Sequence, residues 1–424
     1  MNWSIKIIKK IWQWIYHVFS FFNRLLALLM QWLIYIYQII FSPSVWLLGH
    51  ILWRNVCCHT PHCSQFGLEV FKRYWFIRWF HYTMERVSSC TWWTKKVYDP
   101  AHIRLVYFSW SPIWVPFLHA LVADDRFELI WVVTQPAVPY GRWMNYRDNI
   151  IAQEVSAYNK KTNRSIPVYT PSSLKTTHKK YWDDAQSCIS CLQALQPDII
   201  LVVAYWKILP RQVLDIPIFG TINVHWSLLP KFRWASPLQS VFLDDHDAAW
   251  FTVMKMSEWL DEWAILSSHP LPIQFDRTVL TLIEQLSSKA PKQTLETIWS
   301  YCKWRVDPIP QDDTEATFCW KIAKEEAEID WFTDSLSEIY KKYQAYALWP
   351  KIYTHLYNKI VIIESMILHQ AVYSATHHLP LFFQEKWWSI VLHQAVKSLY
   401  VKPAWKKSMH WDEFIRWYAD KSKK

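Results

Sequence analysis

Polar residues interrupt the apolar run from 11 to 41 at a fixed interval: Lys10, His17, Arg24, Gln31 and Gln38 stand seven apart. Seven residues make just under two helical turns, so these groups stay on one slowly drifting stripe and the rest of the surface is apolar. The pattern predicts an amphipathic helix lying in a lipid interface with its stripe toward the headgroups. A membrane span would prefer about 20 uninterrupted apolar residues, and a cleaved signal helix would end at a small-residue site that this segment lacks. After Tyr98-Asp99-Pro100 the pattern changes to short apolar runs alternating with helical ones. His102 to Phe108 reads as a strand, Val115 to Ala123 as a helix, Phe127 to Thr134 as a strand, and Ile199 to Tyr205 as a further buried strand. Strands alternating with helices predict an α/β architecture on a parallel, doubly wound sheet, with ligands beyond the carboxyl ends of the strands. A domain boundary falls near residue 100.

Composition changes this picture in two ways. The 424 residues carry 46 Lys+Arg against 36 Asp+Glu, and 11 of the bases but only 3 of the acids fall in the first hundred residues, leaving 35 against 33 beyond. A basic, apolar chain start suits an anionic membrane surface better than nucleic acid. The second departure is 31 Trp with only 4 Gly, where average usage gives about 30 Gly in a chain of this length. Tight turns, helix C-caps and close backbone approaches need positive φ without a Cβ, which an indole cannot supply. The economical reading is a gene whose UGA codons mean glycine and have been translated as tryptophan. The eight cysteines are too dispersed for a disulfide scaffold and suggest a reducing compartment. Cys57, Cys58, His59, His62, Cys63 and Cys90 are zinc-ligand types, but half-buried thiols and surface histidines account for them, and no metal is expected. Cys188-x-x-Cys191 falls on a predicted helix with no second ligand pair, so it receives no redox or zinc role.

Chemistry concentrates after residue 221. Asn223 and His225, two apart on a strand, share a face and precede the loop Trp226-Ser227-Leu228-Leu229-Pro230, which runs on to Lys231-Phe-Arg233-Trp234-Ala-Ser-Pro237. A carboxylate follows at Asp261. An Asn, a His and an Asp converging on one pocket suit acyl transfer to an amine. The imidazole moves the proton, the carboxylate orients it, and the amide donates to a developing oxyanion.

Two resemblances follow from these motifs. Leu33 to Gln38, Ser42-Pro43, Cys57 through Gly67, Cys90 and Tyr98-Asp99-Pro100 make residues 30 to 100 similar to the membrane protein insertion efficiency factor (YidD) family, with cysteines at 57, 63 and 90. Cys58 and His62 depart from that family's Arg and Thr. Ser111 to Pro116, Thr134-Gln-Pro136 with Gly141-Arg142, Val203 to Pro210 and Asn223 to Pro237 make 102 to 424 resemble the methionyl-tRNA formyltransferase family. Trp206, Trp226, Trp234, Trp250, Trp259 and Trp263 stand where that family has Gly or another small residue, whereas Trp331 and Trp349 match its tryptophans. Glu262 replaces the Thr that usually follows the catalytic Asp.

The resemblance implies a doubly wound, Rossmann-like formyltransferase domain over 101–300 and a small OB-like β-barrel that binds tRNA over 308–424. Before them, an N-terminal helical membrane-associated module covers 1–100. It implies formyl transfer from 10-formyltetrahydrofolate to methionyl-initiator tRNA by Asn223, His225 and Asp261. The implied folate contacts are Ser227, Leu228, Leu229 and Pro230, and Arg142, Arg147, Lys406 and Lys407 meet the tRNA. A monomer at the cytoplasmic side of the inner membrane, meeting insertion machinery there, is the expected setting. The alternatives are an insertion factor with a non-catalytic formyltransferase-like half, or another folate-dependent formyltransferase or hydrolase.

Overall fold

A computed structural model describes residues 29, 32, 59–73, 80–84, 86, 97–140, 145–175, 179–244, 248–258, 261–274, 276–330, 333–356, 359–368, 396–403 and 407–410. The amphipathic segment 11–41, apart from Leu29 and Trp32, lies outside the described residues, as do Cys57, Cys58 and Cys90. Among the described residues no helix is long and apolar enough to cross a membrane. The chain divides into two compact units, 1–104 with 122–128, and 105–121 with 129–424.

In the first unit a two-residue parallel pairing joins His59–Thr60 to Val97–Tyr98, and a helix follows at Cys63–Arg73. The buried Arg86 ties these parts together. Its guanidinium donates to the carbonyls of Pro61 and Asp99, pairs with the Asp99 carboxylate at 3.0 Å, and lies 4.1 Å over the Phe66 ring. Pro61, Phe66 and Asp99 all belong to the motif read in the sequence, and Arg86 is the residue that gathers them.

The second unit is built on a seven-stranded sheet. Its strands are β1 (Ile103–Ser109), β2 (Phe127–Val133), β3 (Val168–Tyr169), β4 (Ile199–Val203), β5 (Thr221–His225), β6 (Ala248–Lys255) and β7 (Ile265–Pro272), in the order β7-β6-β5-β4-β1-β2-β3. Helices α1 (Val115–Ala123), α2 (Ile150–Thr162) and α3 (Trp182–Leu195) fall between the early strands. β4 is apolar and buried at all five positions, as expected of a strand covered on both faces. It ends two residues before the expected Tyr205 because Ala204 (φ 48°) and Trp206 (φ 62°) turn the backbone through the left-handed region. β1, α1 and β2 fall within one residue of their expected bounds.

The sheet is mixed rather than wholly parallel. β1 with β4, β4 with β5 and β2 with β3 run parallel, while β6 lies antiparallel to β5 and β7 antiparallel to β6. Helix α4 (Pro237–Leu243) connects β5 to β6, and the 24-residue α5 (Val279–Cys302) packs its apolar face on β6 and β7. α6 (Leu336–Tyr346), capped by Ser335 and Glu338, rests on α4 and α5. Beyond it, β8 (Tyr353–Leu356), β9 (Lys359–Leu368), β10 (Val396–Pro403) and β11 (Met409–His410) form an antiparallel sheet in that order. Among the described residues β8 and β11 do not pair, so the sheet is seen open.

Leu201 is fully buried at the centre of β4. Leu201→Ala is expected to destabilise the second unit by about 2–5 kcal/mol through lost transfer energy and a residual cavity, read as a lower urea midpoint with an unchanged slope.

Candidate active site

β5 carries Asn223 and His225 to the carboxyl end of the sheet, on one face because side chains alternate along a strand. Pairing with β6 sets His225 opposite Thr252 and Asn223 opposite Met254. The loop that leaves β5 is pinned from beneath by the buried Thr252, whose hydroxyl donates to Ser227 O at 2.6 Å and accepts from Leu229 N at 3.4 Å. Ser227 is fully buried, and its hydroxyl donates to Lys231 O at 2.7 Å. Leu229 is buried too, so of the four predicted folate contacts only Leu228 and Pro230 keep partly open side chains.

His225 is 6% exposed and held at both ring nitrogens. Nε2 lies 2.9 Å from Phe232 O, and Nδ1 lies 3.5 Å from the Asp261 Oδ1 atom. The second carboxylate oxygen, Oδ2, accepts the main-chain N–H of Trp234 at 3.0 Å. Asp261 sits at φ 60°, a left-handed conformation that Asp tolerates. The half-buried Asn223 amide makes no hydrogen bond among the described residues, which leaves its donor available on the same face. The three predicted residues are therefore brought to one end of the sheet, with His225 and Asp261 in direct contact. Glu262, beside them, is exposed.

A set of supporting residues went unassigned in the sequence. The Arg233 side chain, 2% exposed, donates from Nε and Nη2 to Gln311 Oε1 at 3.2 and 2.9 Å and pairs with Asp313 at 2.6 Å. Gln311 in turn donates to the carbonyls of Asp261 at 2.9 Å and Trp263 at 2.7 Å. Residues 317–319 close the other side. Thr317 Oγ1 accepts from Phe232 N, Thr317 O accepts from Arg233 N, and the Cys319 thiol, pushed up by burial and so kept protonated, faces Arg233 O at 3.1 Å. No sequence signal marked them: Arg233 reads as surface charge until its burial is seen, and only then do Gln311 and Asp313, in the polar stretch after a Pro-x-Pro linker, answer its need for acceptors.

At the ends of β2 and β4, on either side of β1, Thr134 Oγ1 and Tyr205 Oη are buried without a partner among the described residues. Gln135 Nε2 bridges to Tyr205 O at 3.2 Å. Burial pushes the Tyr205 phenol well up, so it remains a proton donor. Trp226 stacks on Trp114 at 3.9 Å with the planes 8° apart. Arg147 is exposed on the short hairpin Val138–Tyr140 with Asn145–Arg147, and Lys407 is exposed beside β11. Arg142 and Lys406 lie outside the described residues. Burial pushes the Cys188 thiol up to about 12, which keeps it protonated and a poor nucleophile. Among the described residues no group of three or more His, Cys, Asp or Glu side chains is arranged to hold a metal.

Family matches follow the same division of the chain. The formyl transferase family matches residues 116–298, its C-terminal domain 321–418, and the putative membrane protein insertion efficiency factor family 26–102. The methionyl-tRNA formyltransferase of Caldicellulosiruptor saccharolyticus is 34% identical over 249 residues, covering 59% of this chain and 75% of the relative. That of Campylobacter jejuni strain 81-176 is 34% identical over 252 residues, covering 59% and 76%. Among solved structures, methionyl-tRNA formyltransferase from Clostridium thermocellum overlaps 63% of this chain and 94% of its own at 13% identity and a TM-score of 0.42, too loose a likeness to add to the argument. With three quarters of such relatives covered at a third identity, the chain belongs to the methionyl-tRNA formyltransferase family and carries an insertion-efficiency-factor domain ahead of it.

Proposed function

We propose that this protein transfers a formyl group from 10-formyltetrahydrofolate to the α-amino group of methionyl-initiator tRNA, with Asn223, His225 and Asp261 as its catalytic residues. One observation carries the reading: the Asp261 carboxylate bridges His225 Nδ1 and the main-chain N–H of residue 234 at the carboxyl end of the sheet, with the Asn223 amide on the same face. The formyl donor fits the groups around this end. Leu228 and Pro230, the partly open residues of the loop, offer it an apolar edge. When bound, 10-formyltetrahydrofolate supplies a carbonyl carbon already activated on nitrogen.

This chain's residues do the rest. Asn223 donates to the formyl oxygen as the amine adds and negative charge develops there. When substrate binds, His225 Nε2 exchanges its Phe232 carbonyl contact for the attacking amine, takes the proton lost there and returns it to the folate nitrogen as the carbon–nitrogen bond to the donor breaks, so no net proton is consumed. Asp261 fixes the ring orientation through Nδ1, and Gln311 fixes Asp261 through its carbonyl. The C-terminal sheet, read as a small OB-like barrel, and the exposed Arg147 and Lys407 supply positive charge for the acceptor's phosphates.

The 1–100 module attaches the chain peripherally at the cytoplasmic face of the inner membrane through the amphipathic 11–41 segment. Attachment beside insertion machinery fits the insertion-efficiency-factor domain.

Asn223→Ala and His225→Ala are each expected to lower kcat by about a hundredfold or more in a formylation assay with methionyl-tRNA, while the folded state persists by circular dichroism; full activity in either removes that residue from the mechanism. Arg142→Ala with Arg147→Ala is expected to raise the KM for tRNA severalfold at unchanged kcat. Gln311→Leu is expected to lower kcat by about tenfold with the tRNA KM held, because the carbonyls of Asp261 and Trp263 lose their donor. Deleting residues 1–53 is expected to abolish flotation with anionic vesicles, and a deleted protein that still floats places the membrane contact elsewhere.

A further inference from the structure

Nine described residues other than glycine adopt positive φ, and three of them are tryptophan: Trp206 at 62°, Trp234 at 87° and Trp304 at 58°. Tryptophan is a poor occupant of this region, where the Cβ meets the neighbouring carbonyl and where Asn, Asp and glycine are the usual residues. Burial could offset that clash, yet Trp206 is 69% and Trp304 60% exposed. Each also performs a job that glycine ordinarily does.

Trp304 follows the last turn of α5. Its N–H donates to Tyr301 O, and Arg305 N donates to Ser300 O, both at 2.9 Å. This pair of bonds is a Schellman motif with residue 304 at the left-handed position after the cap, the place where helices most often use glycine. The Gly220 turn at φ 83° shows glycine meeting the same demand just before β5. Trp206 closes the turn that stops β4. Trp234 aims its main-chain N–H at Asp261 Oδ2, a direction that φ 87° provides. Its indole meanwhile lies 4.6 Å from both Phe318 and Trp320, and gains contact there at the cost of the strained backbone. The 31 Trp and 4 Gly of the whole chain point the same way.

We propose that residue 234 is a positioning residue that orients Asp261 through its main-chain N–H, and that 206, 234 and 304 are glycine in the protein the cell makes, their UGA codons being decoded as glycine. Trp226, which is buried in an aromatic stack and takes no positive φ, is not part of this proposal. Only the role of 234 rests on Asp261 being catalytic; the identity of the three residues stands on backbone geometry alone.

The test is peptide mass spectrometry of the full-length protein isolated from the cells that carry its gene, over peptides spanning 206, 234 and 304. Glycine is expected at each, and tryptophan at any of them overturns the proposal for that position, whatever the enzyme's activity. A second measurement uses the full chain as written and its single variants. Trp304→Gly is expected to raise Tm by about 2–4 °C and leave kcat unchanged, since it relieves strain far from the site. Trp234→Gly is expected to raise kcat by about tenfold with the tRNA KM unchanged. An unmoved Tm in the first variant counts against strain at 304. A change in KM alone, or no change, in the second overturns the positioning role.

Discussion

The Asp261 carboxylate is shared between two donors, the imidazole of His225 and the main-chain N–H of residue 234, and the surrounding architecture follows from keeping it there. A carboxylate that orients a proton-transferring imidazole must be fixed to within a few tenths of an ångström, because misplacing a catalytic group by about 1 Å can cost about a hundredfold in rate. Asp261 lies on the connection between two strands, a place where backbones are normally mobile. Its fixity is imposed from outside. Trp234 N holds one carboxylate oxygen, Gln311 holds the carbonyl, and Gln311 is itself held by a guanidinium buried to 2% exposure.

That arrangement explains why the sheet departs from a parallel plan. A wholly parallel sheet would return to the carboxyl end only through a crossover helix. Placing β6 antiparallel beside β5 lets Thr252, opposite His225, sit under the loop that leaves β5, while the β6–β7 connection, which begins opposite Ile222, carries Asp261 back to His225. The two antiparallel strands thus supply the floor and one wall of the site.

What the sequence disclosed was local. The strand over 103–109, the helix over 115–123 and the Asn223/His225 spacing all rest on periodicity within a few residues, and each is found within a residue of its place. Asp261 was read as a carboxylate in a later segment, matched afterwards by the family pattern, and its contact with His225 spans 36 positions. The Arg233–Gln311 and Phe232–Thr317 bonds join residues 78 and 85 apart, and no periodicity marks them. Arg86 was missed for a similar reason: its partners Pro61 and Asp99 are 25 and 13 positions away, and an arginine between Glu85 and Val87-Ser88-Ser89 reads as surface charge until its burial is seen. The closed barrel expected for the C-terminal part is described only as four strands in an open order.

The clamp on the catalytic loop also bears on how an acceptor is chosen. The proposed Asn, His and Asp set suits formyl transfer to an amine and would serve several amines equally. Yet Arg233–Trp234 of that loop pairs as a strand with Phe318–Cys319, the segment that opens the C-terminal part, and Gln311 and Asp313 of the linker complete the seat of Arg233. A chain without that part would lose the acceptors of the main-chain N–H groups of Phe232, Arg233 and Ala235 together, on the loop whose residue 234 contacts Asp261. In the proposed reading, acceptor recognition and catalytic competence are therefore built on shared hydrogen bonds, so the half of the chain that would grip the tRNA is also a structural condition for the geometry that would formylate it.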